Sequence, residues 1–370
     1  MKFIYKVLAI IYFLLILVVG YFVLRKPLLN LNDPNEGWIL GLIIAITTTL
    51  NLYYGYYQNF MIGINKVALV QRVTGFVNLL GVGLILCVLI FYPSLNTVVI
   101  VYQLISIMVL CSVIYFSKKE YEILGLNKIN GFFDKKLFSL VWQFAWKSGI
   151  TMLISNFVRY ISVIFVSQMF SSSASASFLF TRKLFNIIEN FTMSSFNARL
   201  PVIAKYRGVA DFDNLIPFIR QTQHISYAVF LFSYSIILGF SNYFLLFINS
   251  NVDLGSYQLI ILFSFSTLLT RWGGMTLSIS NQSNHVVEHI NALIVAFVYF
   301  VCILIFYDNI GIIVFPFSLL IAMIFVAPFI IKNTYKSIFT SFWKYEKSVF
   351  IPALLILVLI NLIYYKSNLL

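Results

Sequence analysis

The sequence predicts an all-α membrane protein that crosses a lipid bilayer about eleven times. Apolar residues make up 61% of its 370 positions, charged residues only 10%, and the mean hydropathy is +0.94. A soluble domain is nearer half apolar and a quarter charged. The chain therefore has too few polar side chains to cover a surface that faces water, which leaves lipid as the surrounding medium.

Runs of apolar residues define the predicted spans. About 20 residues of helix cross the roughly 30 Å of hydrocarbon in a bilayer. The segments that satisfy this length are 4–24, 38–60, 74–92, 97–116, 147–169, 174–200, 225–248, 257–280, 290–307, 310–331 and 348–365. The segment 174–200 is the least hydrophobic of them, so its place in a membrane requires a specific reason.

The Lys and Arg residues between the spans are distributed unevenly. With the N-terminus in the cytoplasm, most of them lie on the inner side, whereas Arg25, Lys26 and Lys366 lie on the outer side. This is the bias that the positive-inside rule describes. The formal net charge of +13 therefore indicates topology and does not suggest a nucleic-acid partner.

A polar stretch, 118–143, is predicted to link two lobes on the cytoplasmic side. Residues 1–117 hold four spans, 144–332 hold six, and 333–370 hold one more. Within the linker, apolar residues recur at near-helical spacing over 132–142 with charged residues between them. That pattern is typical of an amphipathic helix on a membrane surface.

Three sequence patterns could belong to enzymes. His285-Val-Val-Glu288-His289 has the spacing of the inverted zinc peptidases, but no suitable third ligand follows it, so a polar turn is favoured. Asp211-Phe-Asp213 and Asp33-Pro-Asn-Glu36 resemble the acidic pairs of sugar-nucleotide and lipid-sugar transferases. A solvated loop accounts for the first pair, and the second keeps a lipid-sugar transferase open. We predict no metal and no cofactor.

Charged side chains inside the predicted spans carry the main functional signal. Arg159, Arg182, Lys183, Glu189 and Arg271 lie well within apolar helices. An ionised side chain at the centre of a bilayer costs about 2.5–3.5 kcal/mol. These groups should therefore face water or one another.

Polar residues follow these charges at steps of three or four positions, which places them on one face of each helix. Such stripes occur in the second, fifth, sixth and eighth spans. Together they can surround a water-filled cavity, and the five charged residues give it a net charge of +3, which favours an anionic solute. Arginine in particular matches phosphate oxygens with two parallel donors. For the uncharged residues, hydrogen bonding between helices is an equal alternative.

Three stretches resemble a known family of membrane proteins. Residues 58–72 (QNFMIGINKVALVQR) resemble the fourth helix and following loop of O-antigen flippases. Residues 144–150 (FAWKSGI) resemble the segment that opens their second lobe, and 199–208 (RLPVIAKYRG) resemble the end of its second helix. This family is the oligosaccharidyl-lipid branch of the multidrug/oligosaccharidyl-lipid/polysaccharide transporter superfamily, and the resemblance runs from about residue 3 to residue 332.

The resemblance implies two pseudo-symmetric six-helix lobes around a central cationic cavity. It implies a transporter, and not an enzyme, that flips an undecaprenyl-diphosphate-linked oligosaccharide across the bacterial inner membrane by alternating access, for O-antigen, lipopolysaccharide or capsule assembly. Its partners would be that lipid-linked oligosaccharide, membrane lipids and other polysaccharide-assembly membrane proteins. Against this pattern the first two helices are expected to be missing, and 348–365 is additional. A lipid-linked polysaccharide polymerase and an exporter of another amphipathic substrate remain alternatives.

The predicted substrate-binding residues combine the charges with their polar neighbours. They are Arg159, Arg182, Arg271, Lys183, Asn186, Asn156, Ser155, Asn51 and Gln58. The arginines are expected to hold the diphosphate. Glu189 is the candidate for carrying a coupling proton, and an ion pair between Glu189 and Arg182 or Lys183 is an equal alternative.

The charge bias predicts that the N-terminus and residues 118–136 are cytoplasmic. A cysteine at position 127 should therefore react with a membrane-impermeant thiol reagent in inverted vesicles and not in intact cells. The opposite labelling pattern would overturn the predicted topology.

Overall fold

The computed structural model describes residues 2–29, 34–64, 66–92, 94–125, 135–247, 252–282, 288–337 and 341–367. The chain divides into two compact units, Met1–Phe133 and Asp134–Leu370. This division falls inside the predicted linker 118–143, while the predicted domain boundaries stay predictions. Position 127 lies outside the described residues, as do His285 and Asp33 of the enzyme-like patterns.

The described residues of the first unit form four long helices: α1 (Lys2–Leu29), α2 (Pro34–Gly63), α3 (Val67–Phe91) and α4 (Leu95–Ile123). Helix α2 packs against α1 and α4, and α3 packs against α4. Most apolar side chains of α1 and α3 face outwards, as at Phe22 and Leu79. A surface of this kind is stable against lipid and unstable against water.

Polar side chains join α2 to α4 inside the first unit. The Thr47 hydroxyl donates to Gln103 Oε1 at 2.6 Å, and Asn51 Nδ2 donates to Ser106 Oγ at 2.8 Å. Interhelical hydrogen bonding, the alternative considered for the uncharged stripe residues, is thus what the geometry shows for Asn51.

The second unit contains the remaining helices. They are α5 (Lys135–Met169), α6 (Ser172–Asn197), α7 (Leu200–Gly208), α8 (Phe212–Phe247), α9 (Tyr257–Asn281), α10 (Glu288–Ile310), α11 (Val314–Ser337), α12 (Phe342–Glu346) and α13 (Phe350–Ser367). A short 3₁₀ turn, Gly311–Ile313, connects α10 to α11. Helix α5 packs against α6 and α10, α6 against α8 and α9, and α11 against α9 and α10.

Helix α5 corrects the prediction of a separate surface helix over 132–142. Residues from Lys135 onwards belong to one continuous helix of 35 residues. At 1.5 Å per residue it is about 52 Å long, so it extends beyond the roughly 30 Å hydrocarbon layer. Phe132 and Phe133 of the predicted surface helix lie outside the described residues.

Helix α6 is largely polar but packs against its neighbours through one apolar face. Phe178, Phe185, Ile188 and Phe196 are buried at steps of three to eight residues. The ring of Phe185 lies 5.8 Å from that of Tyr234 on α8 and 5.4 Å from the ring of Phe263 on α9. The packing of this face against α8 and α9 is the specific reason that the low hydrophobicity of α6 required.

The short helix α12 is tied to its neighbours by a buried carboxylate. Glu346 is 1% exposed and accepts hydrogen bonds from Trp272 Nε1 at 2.9 Å, from the Tyr335 hydroxyl, and from the Phe350 backbone N–H at 3.2 Å. Burial raises the pKa of Glu346, although these donors oppose the rise. The carboxylate therefore links α12 to α9, to α11 and to the start of α13.

The predicted all-α, multi-pass membrane fold is confirmed. In the described part of the chain, eight helical segments are long and apolar enough to cross a bilayer: Ile4–Phe22, Asn35–Gly63, Leu69–Phe91, Asn96–Ile123, Ala145–Met169, Phe212–Ser241, Tyr257–Asn281 and Glu288–Tyr335. The last segment is 48 residues long and contains both α10 and α11. The predicted spans outside these segments are 174–200, which breaks after Asn197 into α6 and α7, and 348–365, which is the shorter apolar helix α13.

Candidate functional site

The second unit encloses a cavity of about 310 Å³ between α5, α6, α9, α10 and α11. That volume lies at the lower end of the range of roughly 300–1,000 Å³ found for ligand pockets. The polar residues that line it are Thr151, Ser155, Arg159, Ser162, Arg182, Asn186, Glu189, Thr267, Thr270, Arg271, Glu288, Asn291 and Tyr299.

The structure brings the three predicted arginines together at this cavity, each from a different helix. Arg159 comes from α5, Arg182 from α6 and Arg271 from α9. Arg182 Nη1 donates a hydrogen bond to Ser162 Oγ on α5. Arg159 is exposed and makes no ion pair within the described residues. Its guanidinium donors are therefore available to an anion.

Arg271 forms an ion pair with Glu189 across the cavity wall. Arg271 Nη2 lies 3.2 Å from Glu189 Oε1, and the two side chains are 11% and 15% exposed. From the sequence, an ion pair of Glu189 with Arg182 or Lys183 was an equal alternative to a role in carrying a proton. Those residues lie six or seven positions away on the same helix, or about 10 Å along its axis, whereas α9 packs directly against α6 and brings Arg271 within reach.

Apolar side chains and two glycines form the rest of the wall. Phe178, Phe185, Phe263 and Met323 line the same space. A Cβ at Gly273 would lie 2.8 Å from Met323 Cε, so the glycine leaves room for the end of this α11 side chain. At Gly274 a Cβ would have no neighbour within 4 Å, so this position opens directly onto the cavity.

Ser155 and Asn186 line the cavity with the arginines, whereas the other four predicted binding residues lie elsewhere. Lys183 is exposed and Asn156 is half-buried, and neither lines the cavity. Asn51 and Gln58 belong to the first unit, where Gln58 is exposed. A role of these residues in binding stays a prediction.

Helix α10 adds two lining residues that the sequence reasoning missed. Glu288 and Asn291 are three positions apart, so they share one face of the helix. An acid and an amide at this spacing are visible in the sequence. The sequence reasoning assigned Glu288 to a polar turn and did not consider the pair. Three arginines against Glu189 and Glu288 leave the cavity a formal charge of +1, which corrects the expected +3.

Residues of the three enzyme-like patterns make structural contacts in the described part of the chain. Asp211 caps α8, because its carboxylate accepts from Asn214 N at 3.2 Å and from Asn214 Nδ2 at 2.9 Å. Glu36 accepts a hydrogen bond from Asn96 Nδ2. The ring of His289 lies 5.7 Å from that of Trp146. Within the described part of the chain, no three His, Cys, Asp or Glu side chains form a group that could hold a metal ion.

The Glu189–Arg271 pair generates a stability prediction. Arg271→Gln leaves a largely buried carboxylate without its cation, a change that typically costs about 3–5 kcal/mol. It should lower the melting temperature of the detergent-purified protein more than Arg271→Gln combined with Glu189→Gln, which removes both charges.

A matched control exists in the first unit. The Lys66–Glu120 pair has the same 3.2 Å separation, but the Lys66 side chain is 48% exposed. Glu120→Gln leaves behind a lysine that water can solvate, so it should change stability by only about 0–1 kcal/mol. A double variant no more stable than Arg271→Gln alone would show that the pair is not coupled.

Comparison with known proteins identifies one related fold. The sequence matches no protein-family model and no curated protein. The structure is similar to that of a lipid II flippase, MurJ, in an inward closed conformation, with a TM-score of 0.58 and 15% sequence identity. The match covers 99% of this chain and 83% of the flippase chain. The chain therefore shares its fold with this lipid flippase, and the likeness does not select the O-antigen branch that the sequence resembles.

Proposed function

We propose that this protein is a flippase that moves a lipid-linked oligosaccharide across the bacterial inner membrane by alternating access. In this proposal the diphosphate of an undecaprenyl-diphosphate carrier binds between Arg159, Arg182 and Arg271. The observation that carries the proposal is the meeting of three arginines from three helices at one cavity in a membrane-spanning unit. The fold shared with a lipid II flippase supports it.

Arginine side chains inside membrane-spanning helices cost free energy unless they face water or a partner. Charged residues within membrane segments are rare, and those that occur generally line cavities or substrate paths. Here Glu189 and Glu288 are fewer than the arginines, and Arg159 has no acidic partner among the described residues. A bound anion would complete the charge balance of the cavity.

The N–H donors of the three guanidinium groups also have a geometry that suits a diphosphate. A guanidinium presents its N–H groups in a planar fork that matches two phosphate oxygens. Three forks approaching from α5, α6 and α9 can surround a diphosphate on several sides. The carrier's hydrocarbon chain needs no cavity, because it can stay in the lipid that the exposed apolar side chains, such as Phe297 and Leu304, already contact.

The Glu189–Arg271 pair offers a way to bind and release the anion. An arriving phosphate competes with the Glu189 carboxylate for the same guanidinium, and Glu189 can reclaim Arg271 when the phosphate leaves. Glu189 remains the candidate coupling residue in this proposal, because it is the acidic group that the substrate displaces.

Arg159 provides the cleanest test, because its replacement leaves no acidic partner uncompensated within the described structure. Arg159→Gln should abolish polysaccharide export in a strain that depends on this protein, at unchanged protein level in the membrane. Arg159→Lys keeps the charge without the fork and should restore export in part. Lys205→Gln is the matched control: Lys205 is exposed on α7 and lies outside the cavity lining, so export should remain.

Lipid analysis of the same strains separates the proposal from its alternatives. Loss of a flippase leaves the complete lipid-linked repeat unit in the inner leaflet, whereas loss of a polymerase leaves it unpolymerised in the outer leaflet. Full export by Arg159→Gln, or accumulation in the outer leaflet, would contradict the proposal.

A further inference from the structure

A second polar cluster lies in the same cavity and has no part in the proposed binding of the diphosphate. It consists of Glu288 and Asn291, which share one face of α10. Glu288 accepts a hydrogen bond from Asn281 Nδ2 on α9 and makes no ion pair within the described residues. Its hydrogen-bonding capacity is only partly used, since a carboxylate has about four acceptor positions.

Asn291 is the more unusual member of the cluster. Its side chain is 3% exposed, and its Nδ2 has no hydrogen-bond partner in the described part of the chain. Buried amides are nearly always paired, so an unpaired one in a cavity wall indicates a missing partner. Nδ2 itself is buried in the cavity wall, so a ligand hydroxyl oxygen would supply that partner once the amide turns towards the cavity.

The cluster lies at a different level of the cavity from the Glu189–Arg271 ion pair. Asn281, which contacts Glu288, is ten residues beyond Arg271 on α9, or about 15 Å along the helix axis. A carboxylate repels a phosphate, so the anionic part of a ligand should lie at the arginine level and an uncharged polar part at the Glu288 level.

The donors and acceptors at this level match hydroxyl groups. A hydroxyl donates one hydrogen bond, which Glu288 can accept, and offers lone pairs, to which the Asn291 amide can donate. A glycan joined to a diphosphate carries many hydroxyls on the same molecule.

We infer that Glu288 and Asn291 form a sugar-binding subsite that holds hydroxyl groups of the glycan part of the substrate while the arginines hold its diphosphate. This inference rests on the proposed function and deepens it. It assigns preference for a glycosylated lipid to α10, and affinity for the diphosphate to α5, α6 and α9.

The test compares two lipids on purified protein in nanodiscs. One probe is undecaprenyl diphosphate, and the other is the same lipid bearing a single glucose or N-acetylglucosamine residue, each measured separately by native mass spectrometry. Wild-type protein should bind at least one glycosylated lipid more tightly than the plain lipid. Glu288→Gln and Asn291→Ala should each weaken that binding about tenfold, the range expected for a lost hydrogen bond to a charged or buried group, and leave the dissociation constant of the plain lipid within about twofold.

Controls come from the far end of the same helix. Asp308 and Asn309 are exposed on α10 and do not line the cavity, so Asp308→Asn and Asn309→Ala should bind both lipids as the wild type does. Melting temperatures of all variants identify any loss of folding. Arg159→Gln should weaken binding of both lipids.

The outcomes separate the two proposals. If wild-type protein binds the plain lipid but gains nothing from either sugar, or if the α10 variants weaken both lipids equally, the sugar subsite is overturned and the flippase proposal stands. An effect of Glu288→Gln that appears only when Na⁺ is present, and that is independent of the sugar, likewise overturns it in favour of a cation site. If the wild type binds neither lipid, the proposed function fails.

Discussion

The contact between Glu189 and Arg271 joins α6 to α9 at a place where neither charge could face lipid. At 3.2 Å the pair offsets part of the cost of removing both groups from water. Helix α6 is too polar to lie against lipid on all sides, and its buried aromatic face contacts α8 and α9. The pair and these aromatic contacts keep α6 inside the second unit, with its polar side towards the cavity.

The cavity of the second unit depends on two small residues and on contacts that hold the surrounding helices together. Gly273 leaves room for the end of an α11 side chain, while its neighbour Gly274 leaves room for a ligand. Behind α9, the buried Asn361 side chain accepts from the Tyr234 hydroxyl at 2.6 Å and donates to Ser264 at 3.2 Å, which fixes α13 against α8 and α9. Glu346 adds a further tie to α9 through Trp272. These contacts hold α9, which carries Arg271, in place before any ligand arrives, which lowers the entropic cost of binding.

The sequence predicted much of the fold and three walls of the cavity, because buried charge is costly in a membrane and polar residues at helical spacing share a face. It could not identify the partner of Glu189, since helix periodicity reports only the face of one helix and not which helix packs against it. The same limit explains Lys183, whose exposed position depends on the rotation of α6. Glu288 and Asn291 were missed because a short polar motif at a helix end looks the same whether it faces water or a cavity.

A ligand in the cavity can be detected directly at Gly274. A cysteine there faces open space, and Lys205→Cys on α7 provides an exposed control outside the cavity. Both are placed in a background in which Cys87, Cys111 and Cys302 are replaced by alanine. The account predicts that a lipid-diphosphate oligosaccharide slows reaction of the cysteine at 274 with a water-soluble thiol reagent, that undecaprenol does not, and that the control reacts equally throughout. An unchanged rate at 274 with saturating lipid-diphosphate oligosaccharide would contradict the claim that this cavity holds the substrate.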